Sequence, residues 1–142
     1  MLRHRTPRAL IATAAALALP AVALAAHPTA DGTYSQTKGN RGVINLHVSK
    51  SGKTIDNIAA YSKCNPVPLQ PPYAIKVNKA GAFSLKGERK DVLGHSIKVV
   101  LSGKFVKPGE VKGSYRMSVD KGAKRCNSKT VKFDAKLAQA GS

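Results

Sequence analysis

The groups with which this chain could do chemistry are few and scattered: seven carboxylates, four histidines and two cysteines, against 24 lysines and arginines in 142 residues. Nucleophilic catalysis needs a base within hydrogen-bond reach of the nucleophile, as in a serine elbow, a Cys with His and Asn, or a Ser set beside a Lys. The sequence contains none of these settings. It also lacks His-Glu-x-x-His, Cys-x-x-Cys and any run of alternating carboxylates, so neither a metal nor another cofactor is expected. A glycosidase would need two carboxylates facing each other across a cleft. Asp56 and Asp134 are the sort of distant pair a fold could unite, but each acid is more simply a turn residue or a local partner of lysine. Of the histidines, His27 is read as part of a loose N-terminal end, His47 as lying on the polar face of a strand and His95 at a loop end. Surface roles follow for all three.

What remains is positive charge, a formal +17 at pH 7. Strand alternation places Lys76, Lys86, Lys98, Lys112, Arg116, Lys132 and Lys136 opposite the apolar set, and the loops add Lys121, Lys124, Arg125 and Lys129. If the strands are neighbours, these form one cationic face. Such a face binds anionic polymers by releasing their counterions, which gives affinity without sequence reading. The best candidates for contact are Lys121, Lys124, Arg125, Lys129, Lys132, Lys112 and Arg116, and charge reversal at Lys124, Arg125 and Lys129 should weaken binding. The competing reading is a solvated face that only keeps the chain soluble. Selected nucleic-acid binding would add aromatic rings for base stacking on the same face, yet most of the aromatics share the inward parity. Specific nucleic-acid recognition is therefore not expected.

The elements that must position these residues are short strands. From Asp31 onward, apolar alternation is broken by Gly, Pro, Asn and Lys at the spacing of an all-β sandwich or barrel, with no helical stretch. Strands are expected over residues 32–36, 43–48, 54–62, 74–77, 82–85, 96–105, 111–119 and 130–137. Gly52 supplies the positive φ of a hairpin turn over 49–53. Residues 63–72 carry Pro66, Pro68, Pro71 and Pro72, which cannot donate to a ladder and suit a crossover. Residues 86–95 read as a charged loop and 121–128 as a basic loop. Glycine precedes a small residue and an aromatic at Gly32 to Tyr34, Gly81 to Phe83 and Gly113 to Tyr115, at unequal spacing. These are equivalent strand entries that each seat a ring in the core.

Ahead of the strands lies an export signal. Arg3, Arg5 and Arg8 form a positive region, residues 9–19 an apolar run, and Ala23-Leu24-Ala25 a small-x-small cleavage site. The apolar run stops at Pro20, well short of the roughly 20 residues of a membrane-spanning helix, so no transmembrane anchor is expected after cleavage. The domains are thus a secretory signal peptide over residues 1–25 and a single all-β domain over residues 26–142. Loss of the three arginines lowers the charge from +17 to +14 on the 117 residues that remain. An exported chain with an even cysteine count normally pairs them. A Cys64 to Cys126 disulfide is expected, stabilising the fold by roughly 4 kcal/mol in the chain-entropy view. Pairing would also silence Cys126, whose thiol the neighbouring Lys124 and Arg125 would otherwise activate.

Asp31-Gly32-Thr33-Tyr34-Ser35 after the signal, the strand at 43–48, a mid-chain Cys64, Gly81-Ala82-Phe83-Ser84 and the closing run from Cys126 to Ala135 together resemble small secreted all-β proteins of high-GC Gram-positive bacteria. The likeness spans nearly the whole mature chain. The group implies no activity, so no functional residue is carried over from it. This chain departs from it in its density of lysine.

The sequence therefore points to a secreted or envelope-located, non-enzymatic, antiparallel β-sandwich of about eight strands, the alternative being a small β-barrel. Its expected partner is an anionic cell-wall polymer or other polyanion. The rival function is a structural or protein-partner-binding immunoglobulin-like domain, marked by an apolar patch around Val67, Leu69 and Tyr73. A hydrolase with a dispersed site comes third, and would need a pocket gathering two acids or an acid and a histidine.

Overall fold

The computed structural model describes residues 25–38, 41–63, 74–90, 93–121 and 124–141. Nine strands follow one another among the described residues: β1 (Thr33–Lys38), β2 (Arg41–Val48), β3 (Thr54–Ala60), β4 (Ile75–Lys76), β5 (Ala82–Lys90), β6 (Ser96–Lys107), β7 (Glu110–Lys121), β8 (Lys124–Asn127) and β9 (Val131–Gln139). No helix occurs among the described residues. The expected signal peptide up to Leu24, Cys64 of the expected disulfide, and Val67, Leu69 and Tyr73, expected as an apolar patch, lie outside the described residues.

All pairings are antiparallel and belong to one sheet, in the order β4-β3-β2-β1-β9-β7-β6-β5, with β8 added to β7. Its two end strands are consecutive in the chain and lie side by side, so the sheet curls into a nearly closed barrel. Of the two all-β arrangements expected, this is the barrel. Curvature comes from register shifts at Thr33/Tyr34, Gln36/Thr37, His47/Val48 and Phe105/Lys107, because an extra residue on one strand bends it and increases the local twist.

The turns follow local chemistry. Ser49 accepts from Gly52 N (2.8 Å) and donates its own N–H to Thr54 O (2.8 Å), with Gly52 at φ 70°. Asn78 Oδ1 accepts from the amides of Ala80 and Ala82, both at 2.9 Å, to close the turn between β4 and β5.

Two expected loops are strand instead. Residues 86–90 continue β5, and 124–127 form β8. Both runs are charged, so hydrophobic alternation could not reveal them; pairing to β6 and β7 holds them extended.

Inward side chains form one core, from Tyr34, Ile44 and Leu46 through Phe105, Tyr115 and Met117 to Phe133 and Ala135. Burying each large side chain is worth about 1.5–3 kcal/mol. The three Gly-x-aromatic entries each deliver a buried ring, Tyr34, Phe83 and Tyr115. Tyr34 and Phe83 both pack on Phe105, with centroids 5.2 and 5.8 Å away.

Residues 26–29 close the barrel end at the β6–β7 turn. Ala26 packs on the core and Pro28 is buried. Thr29 N donates to Tyr34 Oη (2.8 Å), whose own proton goes to Pro108 O, which also accepts from Thr29 Oγ1 (3.1 Å).

Candidate functional site: a cationic face on the barrel wall

The outward face of β5, β6, β7 and β9 is built in rows set by register. One row reads Lys86, Val100, Arg116, and the next Glu88, Lys98, Ser118, Asn127. On the other side come Ser84, Ser102, Ser114, Lys132, and then Ala82, Lys104, Lys112, Asp134. Lys76, Lys86, Lys98, Lys112, Arg116, Lys132 and Lys136 are all exposed, as alternation requires.

These lysines are not equivalent. Lys112 Nζ lies 3.2 Å from Glu110 and 3.3 Å from Asp134, and Lys136 Nζ 2.8 Å and 3.1 Å from the same two acids. The Lys136 and Lys112 hydrogen bonds hold the Glu110 carboxyl below its ordinary range. For Asp134, burial pushes upward, but the contacts to Lys136 and Lys112 outweigh it and the carboxyl is lowered. Both ammonium groups are raised in turn, with Glu110 as the leading cause for each. This quartet ties β7 to β9 and consumes its own charge, so Lys112 does not project a bare cation.

Lys86, Lys98 and Arg116 do. No carboxylate among the described residues lies within 4.0 Å of any of them. All three line a depression of about 380 Å³ that also includes Val100, and Lys98, with Glu88 and Ser118, lines an adjoining one of about 660 Å³ as well. Lys86 and Arg116 sit two strands apart, about 10 Å at the backbone, and Lys98 lies diagonal to both at roughly 7–8 Å. Lys86 and Lys98 were legible as outward cations but not among the residues singled out for contact, because their freedom from acids depends on register.

Of those singled out, Arg116 lies in this face and Lys132 on its margin opposite Ser114. Lys129, at φ 56°, occupies the turn before β9. The β7–β8 ladder pairs Asp120 with Arg125 and Lys121 with Lys124; the side chains of Lys121, Lys124 and Arg125 lie outside the described residues. Cys126 lines the larger depression, and no described cysteine is free.

A second cluster gathers what a hydrolase would need. His47 Nδ1 is 2.6 Å from Asp56 Oδ1 and its Nε2 3.2 Å from Asp31 Oδ1. The Asp56 hydrogen bond leads in raising its pKa; burial opposes this and Asp31 adds to it. With a carboxylate on each ring nitrogen, neither is left to take a proton from a nucleophile, so the imidazole acts as a clamp between β2, β3 and the turn before β1. Asp56 and Asp134 are not brought together: one serves His47, the other the lysine pair. No group of three or more metal-ligating side chains able to hold a metal ion occurs among the described residues.

No family model matches the chain, and neither a curated protein nor a solved structure matches it.

Proposed function

We propose that this chain is an exported, non-enzymatic β-barrel that holds an anionic polymer of the cell envelope across the outer face of β5, β6 and β7. One observation carries the reading: Lys86, Lys98 and Arg116 ring a depressed face with no carboxylate partner among the described residues, whereas the lysines at Glu110 and Asp134 are neutralised. Unpaired cations that share a face cost the fold some repulsion, which an anionic ligand relieves. The occupied ring nitrogens of His47 speak against acid–base chemistry at this cluster. In this reading Cys64 pairs with Cys126, the cysteine that lines the larger depression.

The test is retention of residues 26–142 on phosphate-bearing wall polymer, DNA and a neutral polysaccharide as salt is raised. About three phosphate contacts should give a slope near −2 to −3 in log K against log salt. Two triple variants of equal charge separate site from generic attraction: Lys86→Glu, Lys98→Glu, Arg116→Glu, against Lys50→Glu, Lys53→Glu, Lys79→Glu. Loss confined to the first supports the site. Equal loss in both overturns it, and the protein-partner reading takes its place.

A further inference from the structure

A cleft of about 810 Å³ opens where β1 ends and β2 begins, away from the cationic face. That volume is within the roughly 300–1,000 Å³ of small-molecule sites. Its floor is apolar: Val43 and Val131 pack against the core, and the Tyr115 ring is buried beneath them. The Tyr61 ring forms a wall, and it approaches because Gly42 has no side chain; a Cβ there would sit 3.0 Å from the ring.

The cleft, which Ser62 and Tyr61 also line, holds its charged groups and its buried hydroxyl at different depths. At the floor, the Tyr115 hydroxyl spends its single proton on Val43 O (2.8 Å) and Tyr61 O (2.5 Å), so it offers no donor to a ligand. At the rim stand Lys38 and Lys63, both exposed and without a carboxylate among the described residues. A ligand matching this order has an apolar body and one negative end.

We propose that the cleft binds a single-chain amphiphile with a carboxylate head, the chain resting on Val43, Val131 and Tyr61 and the head between Lys38 and Lys63. Charge complementarity selects the anion: two cations at the mouth of an apolar cleft favour a negative head over a neutral one. The site is independent of the polymer-binding face, since none of its residues lines that face.

The test titrates residues 26–142 with dodecanoate and with dodecanol, below micelle formation, followed by NMR shifts. Dodecanoate should bind saturably at one site, shift Tyr61, Tyr115 and Val43, and bind at least tenfold tighter than dodecanol. Lys38→Gln with Lys63→Gln should remove that difference, and Val131→Trp should block both ligands. Lys86→Glu, Lys98→Glu, Arg116→Glu should leave dodecanoate binding unchanged. No saturable binding by the unsubstituted chain, equal binding of acid and alcohol, or shifts centred on β5 to β7 would each overturn the proposal, whatever becomes of the polymer reading.

Discussion

Gly103 and Gly113 face each other across β6 and β7, and the Phe83 and Phe133 rings from the flanking strands close over the space their missing side chains leave. A Cβ on Gly103 would stand 2.5 Å from Phe83 Cζ. One on Gly113 would collide with the Ser102 carbonyl and stand 2.6 Å from Phe133 Cζ and 2.8 Å from Gly103 Cα. Backbone cannot step aside as a ring edge can. Gly113→Ala should therefore destabilise by about 1–3 kcal/mol, the range for overpacking, and Gly103→Ala by less. Urea unfolding at matched slope measures both; equal losses would show that the ring is as immovable as the backbone.

Tyr115 stitches β7 to the ends of β2 and β3 through its hydroxyl. Burial is what pushes its pKa up to about 12, with the Tyr61 backbone pulling the other way. The unfolded chain ionises tyrosine near its ordinary value of 10.0, so this contribution is full below pH 10 and is lost as pH rises toward 12. Tyr115→Phe should cost about 1–3 kcal/mol at neutral pH, since it leaves the Tyr61 carbonyl short of a donor, while Val43 O keeps the Tyr61 amide. It should also flatten the alkaline fall in stability. An unchanged alkaline limb in the variant would place that titration elsewhere.

His47 has the opposite neighbourhood, two carboxylates. A histidine with raised pKa stabilises the fold fully below its unfolded value, near 6.5, and the gain disappears as pH climbs through the folded one. Urea midpoints should accordingly rise from pH 8 to pH 6, and His47→Gln should lose that rise. If the variant keeps the slope, Asp31 and Asp56 are not the partners that matter.

The strap at residues 26–29 makes a prediction about length. A chain starting at Asp31 lacks the Thr29 bonds to Tyr34 and Pro108 and the cover of Ala26 and Pro28. Losing the two hydrogen bonds alone should cost about 1–3 kcal/mol, read as a lower melting temperature than that of a chain starting at Ala26. Equal melting temperatures would make the strap decorative.

How far the sequence carried this picture depends on which signal each element sends. Alternation exposed the inward set from Ile44 to Ala135, since a half-buried strand has period two. It failed at Lys86 to Lys90 and Lys124 to Asn127, where no position carries a large apolar side chain and only pairing to a neighbour makes a strand. The cationic character was visible in composition. Which cations stay unpaired was not, because Glu110 and Asp134 find Lys112 and Lys136 through register between β7 and β9. The His47 clamp was hidden for the same reason: Asp31 and Asp56 are 16 and 9 positions away, and a turn and a hairpin bring them round.

The barrel's seam has a consequence of its own. β4 contributes two residues and pairs only through Thr54 with Lys76 and Ile55 with Ile75, while β5 runs nine residues. Much of β5's outer edge thus has no ladder partner among the described residues, and Lys86, Glu88, Arg89 and Lys90 along it discourage a second chain from adding there. Opening begins where the fewest bonds must break. Amide hydrogens of β4 and of the β3 residues facing it should exchange with deuterium ahead of those in β7, so the cylinder unrolls from this seam.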